Sequence, residues 1–154
     1  MKCISFLITF GIFNLSTAAQ DPGALRKKHF NLQTGIAING YDPVAYFVKN
    51  KGVKGKKEMA VSHQGIVYYF SSEANKEAFK VSPFKYEPEY GGWCAYAMGQ
   101  NGEKVSVDPE TFKILNGRLY LFYNRYFTNT LKDWNKNEAP LKKKADINWP
   151  KLFK

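Results

Sequence analysis

Three side chains in this 154-residue chain could together hold a soft ion. Cys94 and Met98 stand four residues apart in Trp93-Cys94-Ala95-Tyr96-Ala97-Met98. On a helical turn that spacing puts both on one face. A thiolate and a thioether form a soft pair that favours Cu(I). His63 can add an imidazole from another segment. Cys94, Met98 and His63 are therefore the candidate ligands, and copper is the candidate ion. No spacing rule forces them together, and buried Cys and Met are more often plain core residues.

The same thiol admits a second chemistry. A cysteine near His63 or His29 can act as a nucleophile, with Asp42 orienting the imidazole. Gly91-Gly92 would let a substrate approach the backbone closely. No Cys-x-x-Cys is present, which excludes dithiol redox work. Two histidines and one retained cysteine also leave little margin for a zinc site. The third reading is structural: Cys94 is a buried core residue, and the chain is a scaffold or interaction module. Ten Tyr and three Trp could then line a small-ligand pocket or fill the core.

The elements that must position these residues begin after an export signal. Residues 1–19 read as a secretory signal: Lys2, an apolar stretch over residues 4–13, then the small residues Ser16, Thr17, Ala18 and Ala19. The apolar stretch is shorter than the ~20 residues that cross a bilayer. The expectation is an exported protein, periplasmic or secreted and not membrane-spanning. With Cys3 removed in the signal, Cys94 has no internal disulfide partner. The formal net charge is +10 and comes almost wholly from Lys, with only Arg26, Arg118 and Arg125. That composition argues against nucleic-acid reading. A solvated face is the first reading of the Lys clusters, and contact with an anionic envelope surface is the second.

Residues 20–35 read as a loosely ordered lead, with His29 facing solvent. Asp42-Pro43 opens a short helix, with Asp42 as its cap, or a short strand. Residues 58–70 read as a hairpin turning at Gln64-Gly65, and residues 112–123 as another turning at Asn116-Gly117. Ser71 or Ser72 caps a helix that runs to about residue 81. Phe127, Leu131 and Trp134 recur at helical spacing, predicting a helix over residues 125–136. Residues 145–154 read as a tail that docks on the body. No internal repeat is legible. The sum is an α+β fold: a small single domain with two antiparallel β-hairpins packed against short helices.

Three stretches together resemble the YHS domain family in its exported, stand-alone form. They are Asn39-Gly40-Tyr41-Asp42-Pro43-Val44-Ala45-Tyr46-Phe47, Tyr68-Tyr69-Phe70-Ser71-Ser72, and Tyr90-Gly91-Gly92-Trp93-Cys94-Ala95-Tyr96-Ala97. The resemblance places a YHS-like domain over residues 36–154 and implies a compact α+β fold and a loose metal-binding role. Metal-associated members carry cysteines just after the Tyr-Tyr-Phe strand. Here those positions are Ser71, Ser72 and Asn75, so a metal role would fall on Cys94.

Overall fold

Asp21 sets the start of the first helix: its carboxylate accepts from the Gly23 amide, and Pro22 takes the first helical position. A computed structural model describes residues 21–33 and 35–154. The segment read as an export signal lies outside the described residues. Helix α1 spans Pro22–His29, followed by strands β1 (Leu32–Gln33) and β2 (Ile36–Ala37). Helix α2 (Ala45–Lys49) leads to strands β3 (Lys56–His63) and β4 (Ile66–Phe70). Helices α3 (Glu73–Val81), α4 (Pro83–Tyr86) and α5 (Ala95–Gln100) follow. Strands β5 (Asp108–Leu115), β6 (Arg118–Phe122), β7 (Asn124–Arg125) and β8 (Thr128–Asn129) precede α6 (Thr130–Lys136) and α7 (Glu138–Lys151). The strands form four two-stranded antiparallel sheets among the described residues, in one small α+β domain.

The two hairpins with glycine turns fold in the expected register. His63 pairs with Ile66, and Ile114 pairs with Leu119. Strand β6 is buried on both faces, which explains why both its sides are apolar, leucines on one and aromatics on the other. Leu119 and Leu121 enter one core with Ile66, Tyr68, Phe70 and Phe79. Tyr120 and Phe122 enter a second core with Met98, Trp134, Leu141 and Ala145.

A repeat emerges that the sequence does not announce. Residues 36–81 and 88–136 are two copies of one unit, offset by 52 residues at every matched hydrogen bond (Lys56 to Asp108, for instance). Each copy opens on a left-handed turn: φ is 52°, 51° and 77° at Ile38, Asn39 and Gly40, and 54°, 60° and 83° at Tyr90, Gly91 and Gly92. The Asp42 amide donates to Val53 O at 2.8 Å, and the Cys94 amide to Val105 O at 2.9 Å. A short helix follows in each. The Lys56–Phe70 pair with its register shift recurs as Asp108–Phe122. The ring that closes each unit also corresponds. Phe79 packs on Tyr68 and Phe70 at 4.8 and 5.1 Å, and Trp134 on Tyr120 and Phe122 at 5.8 and 5.5 Å.

Three expectations change. The described part of the lead segment, residues 21–33 and 35, docks on the body: Arg26 pairs with Glu87, which also accepts from the Tyr68 hydroxyl at 2.7 Å, and Asn31 donates to Gly92 O at 3.0 Å. Arg26 and Asn31 are held by protein partners, while Lys27 and Lys28 stay exposed. Residues 125–129 are not helical. They form the β7–β8 hairpin, with Phe127 at its exposed tip instead of in the core. Residues 145–151 continue helix α7 rather than forming an irregular tail; Trp149 and Leu152 dock on the second core, as an anchored end requires.

Candidate functional site

Asp42 and Cys94 occupy equivalent positions in the two units, and comparing them defines the site. Each side chain follows its left-handed turn and accepts from the amide at the end of its unit's second long strand, 29 residues on. Asp42 Oδ2 accepts from Ser71 N at 2.8 Å, and Cys94 Sγ from Tyr123 N at 3.4 Å.

In the first unit the position is filled. Asp42 has no exposed surface. Its Oδ1 accepts from the Val44 and Ala45 amides at 2.9 and 3.2 Å, which fixes the start of α2. Its Oδ2 accepts also from Ser71 Oγ and Asn75 Nδ2, both at 2.7 Å. Five donors around one carboxylate satisfy a charge that would otherwise be expensive to bury. Ser71 and Asn75, two of the three positions compared above with metal-associated YHS domains, are thus donors to Asp42. The third, Ser72, caps α3 by accepting from the Asn75 amide.

In the second unit the position is open on one side. Cys94 is itself sealed, and it lines an apolar groove of about 210 Å³. One wall is the outer face of α5, with Tyr96, Ala97 and Gln100. The other is Val105, Tyr123 and Thr130. The difference between units has a local cause. In the first, α3 starts two residues after Ser71, and Asn75 fills the space beside Asp42. In the second, the β7–β8 hairpin is inserted between Tyr123 and α6, and only the small Thr130 returns to the sulfur.

The thiol belongs to a closed polar loop. Thr130 Oγ1 lies 3.3 Å from Sγ and donates to Tyr123 O at 3.0 Å. With that proton committed, the thiol donates to Thr130 Oγ1 and accepts from Tyr123 N. No imidazole or carboxylate is among its hydrogen-bond partners, so no general base stands ready to take the proton.

The structure does not bring the three candidate ligands onto one cavity. Cys94 meets the groove. Met98 is fully buried in the second core, because the face of α5 opposite the groove packs against α7. Cys94 precedes the helix as its cap, so the helical spacing that would align it with Met98 does not apply. His63 ends β3, its ring centroid 5.1 Å from that of Phe84 and 6.1 Å from that of Phe79. Neither Met98 nor His63 lines the groove. Among the described residues no cluster of three or more His, Cys, Asp or Glu side chains is placed to hold a metal ion. Of the three candidate ligands Cys94 alone meets the groove, so a copper ion there would need donors other than Met98 and His63.

His29 is buried, not solvent-facing. Its Nδ1 lies 3.1 Å from Lys104 Nζ, and its ring 4.8 Å from that of Phe153. Burial first, then the Lys104 and Lys28 charges, lower its pKa. Gly91 serves packing rather than substrate approach: a Cβ there would stand 2.7 Å from Trp149 and 3.1 Å from Phe30 Cα. The Trp93 indole N–H donates to His29 O at 2.6 Å, which ties the turn to α1. A larger cavity, about 450 Å³, lies between the start of α1 and the Gln64-Gly65 turn, away from Cys94. No family model matches the chain, and neither a curated protein nor a solved structure matches it.

Proposed function

We propose that this chain is an exported small binding protein of the YHS kind, and that its ligand site is the apolar groove over Cys94. One observation carries the reading: the position that a carboxylate and its donors fill in the first unit borders, in the second, an apolar groove lined by Cys94. At about 210 Å³ the groove is smaller than the pockets that enclose drug-sized molecules. It suits one ring or a short branched chain, with Gln100 and Thr130 available to a single polar group. Copper held through Cys94 is the narrower form of the same reading, with one ligand in place and Met98 and His63 elsewhere.

The test uses phenol and indole as probes, followed by amide chemical shifts. Shifts should centre on Tyr96, Ala97, Val105 and Tyr123, and Ala97→Phe should abolish them by filling the groove. Shifts scattered over the surface, or unchanged in Ala97→Phe, would remove the groove as the site. Cu(I) competition with wild type and Cys94→Ser separates the metal form: equal, weak affinities eliminate it.

A further inference from the structure

We infer that the β7–β8 hairpin is an interfacial anchor that seats the protein on an anionic lipid surface through Tyr126 and Phe127. Among the described residues, three hairpin turns place both central residues at positive φ, the requirement of a type I′ turn. Two of them put glycine second, Gln64-Gly65 and Asn116-Gly117. The third uses Tyr126 at φ 50° and Phe127 at φ 68°. Bulky side chains are rare in that conformation, and here no packing offsets the strain. Tyr126 is 87% exposed and Phe127 fully exposed. Strain held where no internal contact rewards it points to a role outside the fold.

The repeat makes the same point independently. The first unit passes from β4 to α3 without a hairpin and still closes its core with Phe79. The second unit inserts the hairpin before α6, and Trp134 closes the core as Phe79 does. The insertion is dispensable for the architecture.

The partner follows from charge and shape. A rigid two-residue tip of Tyr and Phe matches the headgroup boundary, where amphipathic and aromatic rings concentrate. Arg125 is exposed beside the tip, and Lys132 and Lys136 are exposed on α6; of these Lys136 pairs with Asp133, and the Asp108 carboxylate lies on the other side, against Asn124. The whole chain carries +10. Cations around an aromatic tip select anionic over zwitterionic lipid. No helix of the described residues is long and apolar enough to cross a membrane, so the contact is peripheral.

The experiment is sedimentation with phosphatidylcholine vesicles, with and without phosphatidylglycerol. The double substitution Tyr126→Asn with Phe127→Gly recreates the Asn116-Gly117 turn, and its Tm should equal or exceed that of wild type. Wild type should bind the phosphatidylglycerol vesicles more tightly than the neutral ones. The double variant should lose about tenfold or more in affinity, as expected when two aromatic rings no longer leave water. Phe127→Trp should retain binding, with tryptophan emission shifting to the blue on vesicle addition. Equal binding by wild type and the folded double variant, or no binding by wild type, overturns the inference. So does wild-type self-association without vesicles that the double variant lacks, which would make the tip a contact between copies.

Discussion

Replacing Asp42 with Asn tests whether the first unit is organised around its buried carboxylate. The substitution keeps the shape and changes one acceptor into a donor. If the amide nitrogen takes the Oδ2 position, it faces Ser71 N–H and Asn75 Nδ2, while the Ser71 hydroxyl can rotate to accept. If it takes the Oδ1 position, it faces the Val44 and Ala45 amides. Either way two buried donors lose their acceptor, at about 1–3 kcal/mol each. Neutralising the side chain removes some desolvation penalty, so the expected net loss is about 3 kcal/mol. For a domain of this size that lowers Tm by about 10 °C. Urea unfolding followed by circular dichroism reads the loss directly, and the slope with urea should stay constant. Asn75→Asp in the Asp42→Asn background should recover part of the loss, because the new amide can donate to the new carboxylate. Asn75→Asp alone should destabilise, by placing two carboxylates against each other. A loss under about 1 kcal/mol for Asp42→Asn, within the range of ordinary surface substitutions, would refute the reasoning.

Gly99→Ala should destabilise by about 1–3 kcal/mol in the same assay, although alanine is the better helix former. A Cβ at Gly99 would stand 2.4 Å from Leu141 O, so α5 and α7 would have to separate. A variant more stable than wild type would show that the helices can part freely. Stability should also fall as the pH drops below about 6.5, the ordinary histidine pKa. The lowered pKa of His29 means that the unfolded chain takes up the proton first, so the contribution is complete above that pH and lost below it. His29→Gln should flatten this part of a thermal-denaturation pH profile, and an unchanged profile would assign the dependence elsewhere.

Where backbone chemistry is explicit, the sequence was readable. Asn116-Gly117 and Gln64-Gly65 mark their turns, Ser72 caps α3, and alternation along residues 112–123 assigns both faces of the second hairpin. Where polar groups are buried by pairing, it was not. Arg26 and His29 look solvated until Glu87 and the Trp93 indole are placed beside their segment. The hairpin tip reads as helix in the sequence because its turn lacks Asn and Gly, while Phe127, Leu131 and Trp134 recur at helical spacing. Cys94 and Met98 part for a related reason: Cys94 is the cap before α5 and joins the first core, while Met98 is carried into the second.

The repeat was hidden because its matched positions share a backbone role rather than a side-chain chemistry. Gly40 and Gly92 end the left-handed turns, Gly65 and Gly117 complete the hairpin turns, and Tyr68, Phe70, Tyr120 and Phe122 fill the cores. The pivot itself is a carboxylate in one unit and a thiol in the other. Its shared task is to accept from a strand-end amide, and either atom type can do so. Two features of the second unit are not needed to build such a unit, since the first is built without them: the groove beside Cys94 and the strained aromatic tip. The tip follows the groove wall at Tyr123 and returns to it at Thr130, whose amide donates to Tyr123 O at 3.0 Å. A contact made at the tip is therefore joined, through one hydrogen-bonded pair, to the two residues that hold the thiol.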